Sequence, residues 1–275
     1  MFLSYYSFCI NSTHYNEVFL DYVKNNKEDN AVVKDIKCDS IQSIKAISGV
    51  LSAEDICKEF VLLYKSFSEY HNKLRTLDKE IFSFVDCDFL NYWLNDKLRK
   101  SVKDGDEIDV RGFYREIKNN NPKFFSDNEG LENYINNIDP EILKNMKLLY
   151  DLYYNKNIIL TMLDGDYTYP ENNPCSDYTK DCHEEYDIAI NRCYGVYDEF
   201  YKALKDFKND YNSIFRISTK DEYNCRGNNQ YLLMEYDPVL ERYREEKKIM
   251  LIQGLTISLI PLLIIPLIYK VKKYH

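Results

Sequence analysis

The stretch Ile249–Tyr269, IMLIQGLTISLIPLLIIPLIY, carries no charged residue. As a helix rising about 1.5 Å per residue it is roughly 30 Å long, the thickness of a bilayer's hydrocarbon core. A buried core helix does not need such uninterrupted apolarity, so the run is expected to cross a membrane as a single transmembrane helix, with lipid as its partner. Lys247 and Lys248 precede it and Lys270, Lys272 and Lys273 follow, which lets both ends reach lipid phosphates. Pro261 and Pro266 each remove a backbone hydrogen bond and are expected to bend the span. Gly254 and Ser258 form a small-x-x-x-small pair on which a second helix could pack, a candidate route to self-association.

Which side of the membrane the rest of the chain occupies is open. Basic residues flank the run in similar number at both ends, so the positive-inside rule does not choose. The amino end, MFLSYYSFCINSTHY, lacks the basic opening of a secretory signal, and no cleavable signal is expected. Two topologies remain: an exposed amino-terminal domain with a short internal tail, or a cytosolic domain held by a carboxyl-terminal anchor. All eight cysteines, Cys9, Cys38, Cys57, Cys87, Cys175, Cys182, Cys193 and Cys225, precede the run. An even number on one side of a membrane suits a disulfide framework in an oxidising space. Reduced cysteines packed as small hydrophobes are the alternative. Asn11-Ser12-Thr13 is an N-glycosylation acceptor pattern at Asn11, too short a signal to bear on topology.

With 45% hydrophobic and 29% charged residues, the chain has the composition of a folded protein. Its net charge of −9, without a basic block able to track phosphates, argues against a nucleic-acid partner. Tyrosine is in excess, 26 in all, alongside many Asn, Lys and Ile, a skew that A- and T-rich codons produce whatever the function.

Hydrophobic spacing is helical throughout. Ser52-Ala-Glu-Asp55 is a capping box. After it Ile56, Phe60, Leu63, Phe67, Tyr70, Leu74 and Leu77 recur in steps of four and three along one stripe. A second helix carries Leu90, Leu94 and Leu98 one turn apart, with Trp93 beside them, and is expected to pack against the first. A shorter amphipathic segment passes through Ile108, Phe113 and Ile117 and ends at the polar run before Pro122. Asp139 and Pro140 supply an N-cap and first-turn proline for a helix with Ile142, Met146, Leu149 and Tyr153 inward. Asp164–Cys182 reads as loop throughout, with two cysteines to tether it. Tyr186, Ile190, Cys193, Tyr197, Phe200, Leu204, Phe207, Tyr211 and Ile214 then predict one long core helix, and Pro238 marks a break before the apolar run. No strand signal of comparable length occurs, and no domain boundary is evident between about residues 50 and 215. Residues 1–50 are the least legible.

Catalytic signatures are missing. The eight glycines never form G-x-G, and there is no G-x-S-x-G elbow. Cys182-His-Glu-Glu-Tyr-Asp187 starts like a metalloprotease H-E-x-x-H, but Asp187 stands where the second histidine belongs. Cys175, Cys182, His183 and Cys193 fit no compact zinc module. Neither an enzyme, a cofactor nor a resident metal is expected.

Cys57 lies within the aliphatic helix ICKEFVLLYKSF, and Cys87 introduces CDFLNYWLNDKL, with Leu90, Asn91, Tyr92, Trp93, Leu94, Asp96 and Leu98. Together with the later cysteine and tyrosine helix around Cys193 and the terminal apolar span, these residues resemble the Plasmodium interspersed repeat (PIR) proteins, most closely their Vir branch, over roughly residues 50–270. The resemblance implies a variant surface antigen displayed on parasite or infected red-cell membranes, with roles in antigenic variation, immune evasion and adhesion to host cell-surface receptors. It implies that Leu90–Leu94 form a shared structural core, and that Cys57 and Cys87 tie the first two helices together. A binding role for Trp93 stays open, since tryptophan is also favoured at interfaces. Unlike many relatives, the chain lacks a low-complexity spacer before the span, and its tail is only KVKKYH.

The expectation is therefore a mainly α protein: a helical, disulfide-bearing ectodomain over 1–248, a transmembrane helix over 249–269 and a short basic tail over 270–275. Loop residues Asp164–Asp181 are the expected contact surface for receptors or antibodies, because loops change without cost to the core. The alternative is an intracellular tail-anchored scaffold or trafficking protein.

Overall fold

The computed structural model describes residues 6–25, 31–39, 41, 51–73, 83–103, 105–125, 130–165, 173–193, 199–218, 220–227, 231–233 and 237–272. A 3-10 turn at Ser7–Asn11 leads into α1 (Ser12–Asn25) and α2 (Ala31–Lys34). Then come α3 (Ala53–Lys73), α4 (Phe84–Ser101), α5 (Val110–Asn120), α6 (Pro140–Leu163), α7 (Cys175–Arg192), α8 (Glu199–Ile217) and α9 (Pro238–Lys272). Among the described residues there is no strand, so the chain is mainly helical, as its spacing predicts.

The helices start where side chains can satisfy their first amides. Ser52 Oγ accepts the N–H of Asp55 at 3.1 Å, and the Asp55 carboxylate accepts the N–H of Ser52 at 3.1 Å, which is the expected reciprocal box. Ser83 and Asp86 repeat the device at α4. Asp139 caps α6 by accepting the N–H of Glu141 at 2.8 Å, with Pro140 in the first turn. Gly165 follows the carboxyl end of α6 at φ 81°, the left-handed conformation that a glycine adopts without a Cβ clash.

Ile56, Phe60, Leu63 and Phe67 are fully buried, so the α3 stripe faces the core; Tyr70, Leu74 and Leu77 fall outside the described side chains. α4 lies against it through Phe60 and Trp93, 6.0 Å between ring centroids, and through the Lys97–Glu59 ion pair at 2.7 Å. The amino terminus, the part least legible in sequence, completes this layer. Tyr15 stacks on Phe89 at 4.1 Å, meets Phe67 edge-on at 5.3 Å, and donates its hydroxyl to Asp86 at 3.1 Å. Phe8 packs on Tyr92 at 4.9 Å. Such ring pairs contribute about 1 kcal/mol each beyond the area they bury. The core is one continuous cluster, reaching from Tyr6 to Val239.

Three expectations need correction. Ile142 is 39% exposed and Leu143 is the inward residue of the first turn, while Met146, Leu149 and Tyr153 further along α6 are buried. Asp164–Cys182 is not loop throughout: α7 starts at Cys175, with Asp177, Lys180 and Asp181 exposed and Tyr178, Thr179 and Cys182 buried. Residues 166–172 of that expected contact surface lie outside the described residues. The long helix from Tyr186 to Ile214 is two helices, since α7 ends at Arg192 with Cys193 as its C-cap and α8 begins at Glu199; Tyr197 is outside the described residues. A constant apolar period survives such a break when both helices face one core. Pro238 opens α9, with Asp237 Oδ1 accepting the N–H groups of Val239 and Leu240 at 3.1 Å.

Segments between helices are held by asparagines. A carboxamide offers one donor end and one acceptor end, the same pair that a backbone offers its neighbour in a sheet. Asn121 accepts the N–H of Lys37 at 2.8 Å and donates to the Lys37 carbonyl at 2.9 Å. Asn212 brackets Leu233 in the same way, at 2.9 and 3.4 Å. Asn137 accepts from Val110 N–H at 3.0 Å and donates to the Ile108 carbonyl at 2.7 Å. In a fold whose connections have no ladder to join, these side chains satisfy backbone groups that burial would otherwise leave unpaired.

α9 touches the bundle through its first turn, where Val239 is buried. Beyond that it departs, and Ile249, Met250, Leu251, Ile252, Leu255 and Ile257 are all more than half exposed. Its backbone continues as helix to Lys272. Among the described residues no helix is long and apolar enough to cross a membrane; Ser258, Pro261 and Pro266 fall outside the described side chains.

Candidate functional site

The Leu90–Leu94 motif sits at mid-helix in α4. Leu90 and Leu94 are fully buried, Tyr92 and Asn91 nearly so, and Trp93 is partly buried. Trp93 packs against Phe60 on one side and lies under the Lys97 ammonium, 5.1 Å from the ring centroid, on the other. Its indole thus joins α3 to α4.

The polar member of the motif does something the apolar pattern does not reveal. One turn on, the fully buried Asn95 donates to the Asn91 carbonyl at 2.9 Å, to Asn91 Oδ1 at 3.0 Å and to the Asn136 carbonyl at 2.9 Å. Asn95 Oδ1 accepts the N–H of Ile138 at 2.9 Å, and Asn91 Oδ1 accepts the N–H of Asn136 at 3.1 Å. Two asparagines on α4 therefore hold the extended segment 135–139 that leads into α6. The spacing Asn91-x-x-x-Asn95 is visible in sequence as a one-turn repeat.

A cleft opens on each side of that segment. The larger, about 740 Å³, is lined by Arg99, Lys100, Lys144 and Lys147 together with Asp96, Asp106 and Glu107. Its charges are largely spent within the protein. Lys100 pairs with Asp96 at 2.5 Å, Lys144 with Glu141 at 2.9 Å and Lys147 with Asp151 at 2.5 Å, while Arg99 donates to the Asp106 carbonyl at 2.6 Å. The smaller cleft, about 320 Å³, falls at the lower end of ligand-sized pockets. It has no cationic lining and is walled by Asp88, Asn91, Asn133, Asn136 and Asn137, with Tyr134, Ile142 and Met146 as its apolar part. Burial pushes the Asp88 carboxyl up to about 6.

The cysteines divide in two. Cys38 pairs with Cys57 and Cys175 with Cys225. Cys9, Cys87, Cys182 and Cys193 stand outside these disulfides and are buried thiols. The expected tie between Cys57 and Cys87 is therefore absent. Cys57 faces the connection ahead of α3 rather than α4, and Cys87 is buried as a small apolar group. Burial raises the thiols of Cys9 and Cys182 well above their usual range, which keeps them protonated and unreactive. The tether between Cys175 and Cys225 pins the start of α7 to the turn after α8, where the Asp221 carboxylate accepts the N–H groups of Cys225 and Arg226 at 2.6 and 3.0 Å. With Cys175 oxidised, no thiolate set forms around His183, and among the described residues no group of His, Cys, Asp or Glu is placed to hold a metal.

Asn11 ends the first 3-10 turn and is exposed, but its acceptor pattern runs into α1: Ser12 is fully buried and the Thr13 hydroxyl accepts from Asn157 at 2.9 Å. On α7, Glu185 Oε2 is buried without a hydrogen bond, and its carboxyl is pushed up to about 7, chiefly by burial and then by Asp151. Nothing in the sequence singled out either Asp88 or Glu185, since both lie among charged residues of amphipathic helices. Compared with protein-family models, curated proteins and solved structures, the chain shows no significant match to any.

Proposed function

We propose that this protein is a membrane-anchored variant antigen of the PIR/Vir type, displayed on a parasite or infected red-cell membrane and acting in antigenic variation, immune evasion and host-cell adhesion. The observation that carries the reading is the charge-free run Ile249–Tyr269 with lysines at both ends. Support comes from α9, which leaves the bundle after one turn and presents half-exposed apolar residues that no part of the described protein covers. The two disulfides favour an oxidising space for the bundle over the cytosol, and with it the exposed topology over a tail-anchored scaffold.

The full chain is expected to stay in the membrane pellet through alkaline carbonate extraction, and proteolysis of intact infected cells is expected to remove the bundle without lysis. Release by carbonate would end the anchored reading. Retention with complete protection from protease would leave the anchor and reverse the topology, in favour of the intracellular scaffold.

A further inference from the structure

The smaller cleft beside segment 135–139 differs from its neighbour in what it leaves unspent. Asp88 is half-buried and makes no hydrogen bond among the described residues. Asn91 commits its Oδ1 to Asn95 and Asn136, but its Nδ2 forms no bond there. Asn136 commits its Nδ2 to the Tyr134 carbonyl at 2.7 Å and leaves Oδ1 unused, and the exposed Asn133 side chain is likewise uncommitted. Donors and acceptors thus stand side by side in one recess. Tyr134 and Ile142, 37% and 39% exposed, flank them as apolar surface.

We propose that this cleft binds a neutral hexopyranose unit, with Asp88 and the Asn91, Asn133 and Asn136 carboxamides taking its hydroxyls and Tyr134 with Ile142 covering its C–H face. A sugar hydroxyl donates and accepts at once, so it matches carboxamides and carboxylates set in pairs. An aromatic ring at the rim covers the apolar face of a pyranose while its edge stays wet. Lysine and arginine are absent from the lining, which leaves nothing to compensate a sialate, sulfate or phosphate beside the Asp88 carboxylate. A hydroxyl donated to Asp88 would also relieve a carboxylate that burial has stripped of water. The walls are fixed in advance, because Asn95 locks segment 136–138 to α4. The site owes nothing to membrane attachment, so its fate and that of the anchor are separately measurable.

The test uses the purified full chain in a sugar-free detergent. Saturation-transfer NMR is run with methyl β-D-galactopyranoside, methyl β-D-glucopyranoside and methyl α-D-mannopyranoside, with N-acetylneuraminic acid and ethylammonium as charged controls. At least one neutral glycoside is expected to bind saturably with a Kd near 1 mM, of order 4 kcal/mol. Asp88→Ala and Tyr134→Ala are each expected to weaken it at least tenfold. Melting curves of both variants separate a lost fold from a lost contact, and Lys144→Ala in the neighbouring cleft keeps the affinity. Absence of binding by all three glycosides overturns the proposal. So does binding that survives both variants, or binding of the acid or the amine alone.

Discussion

Asn91 Oδ1 on α4 accepts the backbone N–H of Asn136 at 3.1 Å, across 45 positions of sequence. With Asn95 beside it, this bond sets the path by which the chain enters α6 and so separates the two clefts. Asn95 is fully buried, and its replacement by alanine leaves the Ile138 N–H and the Asn136 carbonyl without partners. Asn95→Ala is expected to cost ~3 kcal/mol, the penalty for two stranded backbone groups, read from urea denaturation. Asn95→Asp is expected to be worse, since it sets an acceptor against three oxygens.

Thiol counting follows from the division of the cysteines. In denaturant without reductant, four cysteines, Cys9, Cys87, Cys182 and Cys193, are expected to alkylate; with reductant, all eight. In the native protein none of the four is expected to react quickly, because all are buried. Mass spectrometry of the labelled peptides reads each site.

The two disulfides close loops of different length, with sequence separations of 19 for Cys38–Cys57 and 50 for Cys175–Cys225. Chain entropy assigns them about 3 and about 4 kcal/mol respectively. Replacing Cys175 and Cys225 by serine is therefore expected to lower the melting temperature more than replacing Cys38 and Cys57, as scanning calorimetry would show.

Glu185 gives a pH dependence of definite sign. Its folded pKa, about 7, lies above the 4.5 of an ordinary glutamate, so between those values the folded state holds the proton more tightly. Its contribution is fully present below about pH 4.5 and is lost as pH rises through 7. Glu185→Gln, which cannot ionise, is expected to match the wild type at pH 4 and to exceed it at pH 8. Because the side chain is partly exposed, the gain is held to at most about 2 kcal/mol, read from melting temperatures across pH.

Truncation after Lys248 removes side chains that, where described, lie in solvent. The bundle's stability is expected to change by less than ~0.5 kcal/mol. Its partition into the detergent phase of a phase-separation assay is expected to disappear.

Local signals were legible in the residues themselves: the capping box at Ser52 and Asp55, the α3 stripe through Phe67, and the Asp139-Pro140 start of α6. Each depends on contacts within one turn, where spacing and short polar side chains decide. The same locality let a uniform apolar period conceal the break after Arg192 and the start of α7 at Cys175. It also carried the cysteine count but not the pairing. Cys57 meets Cys38 and not Cys87 because the fold brings the segment after α2, bracketed at Lys37 by Asn121, to α3, a proximity that no spacing encodes. The small cleft belongs to the same class. Asp88, Asn91, Tyr134 and Ile142 come from three separate segments, and only the docking of 135–139 onto Asn91 and Asn95 brings them to one recess. Sequence settled the helices and their caps, since propensity and capping act over a few residues. The fold alone settled which sulfurs join and where polar groups stay unspent, since those depend on which distant segments share a core.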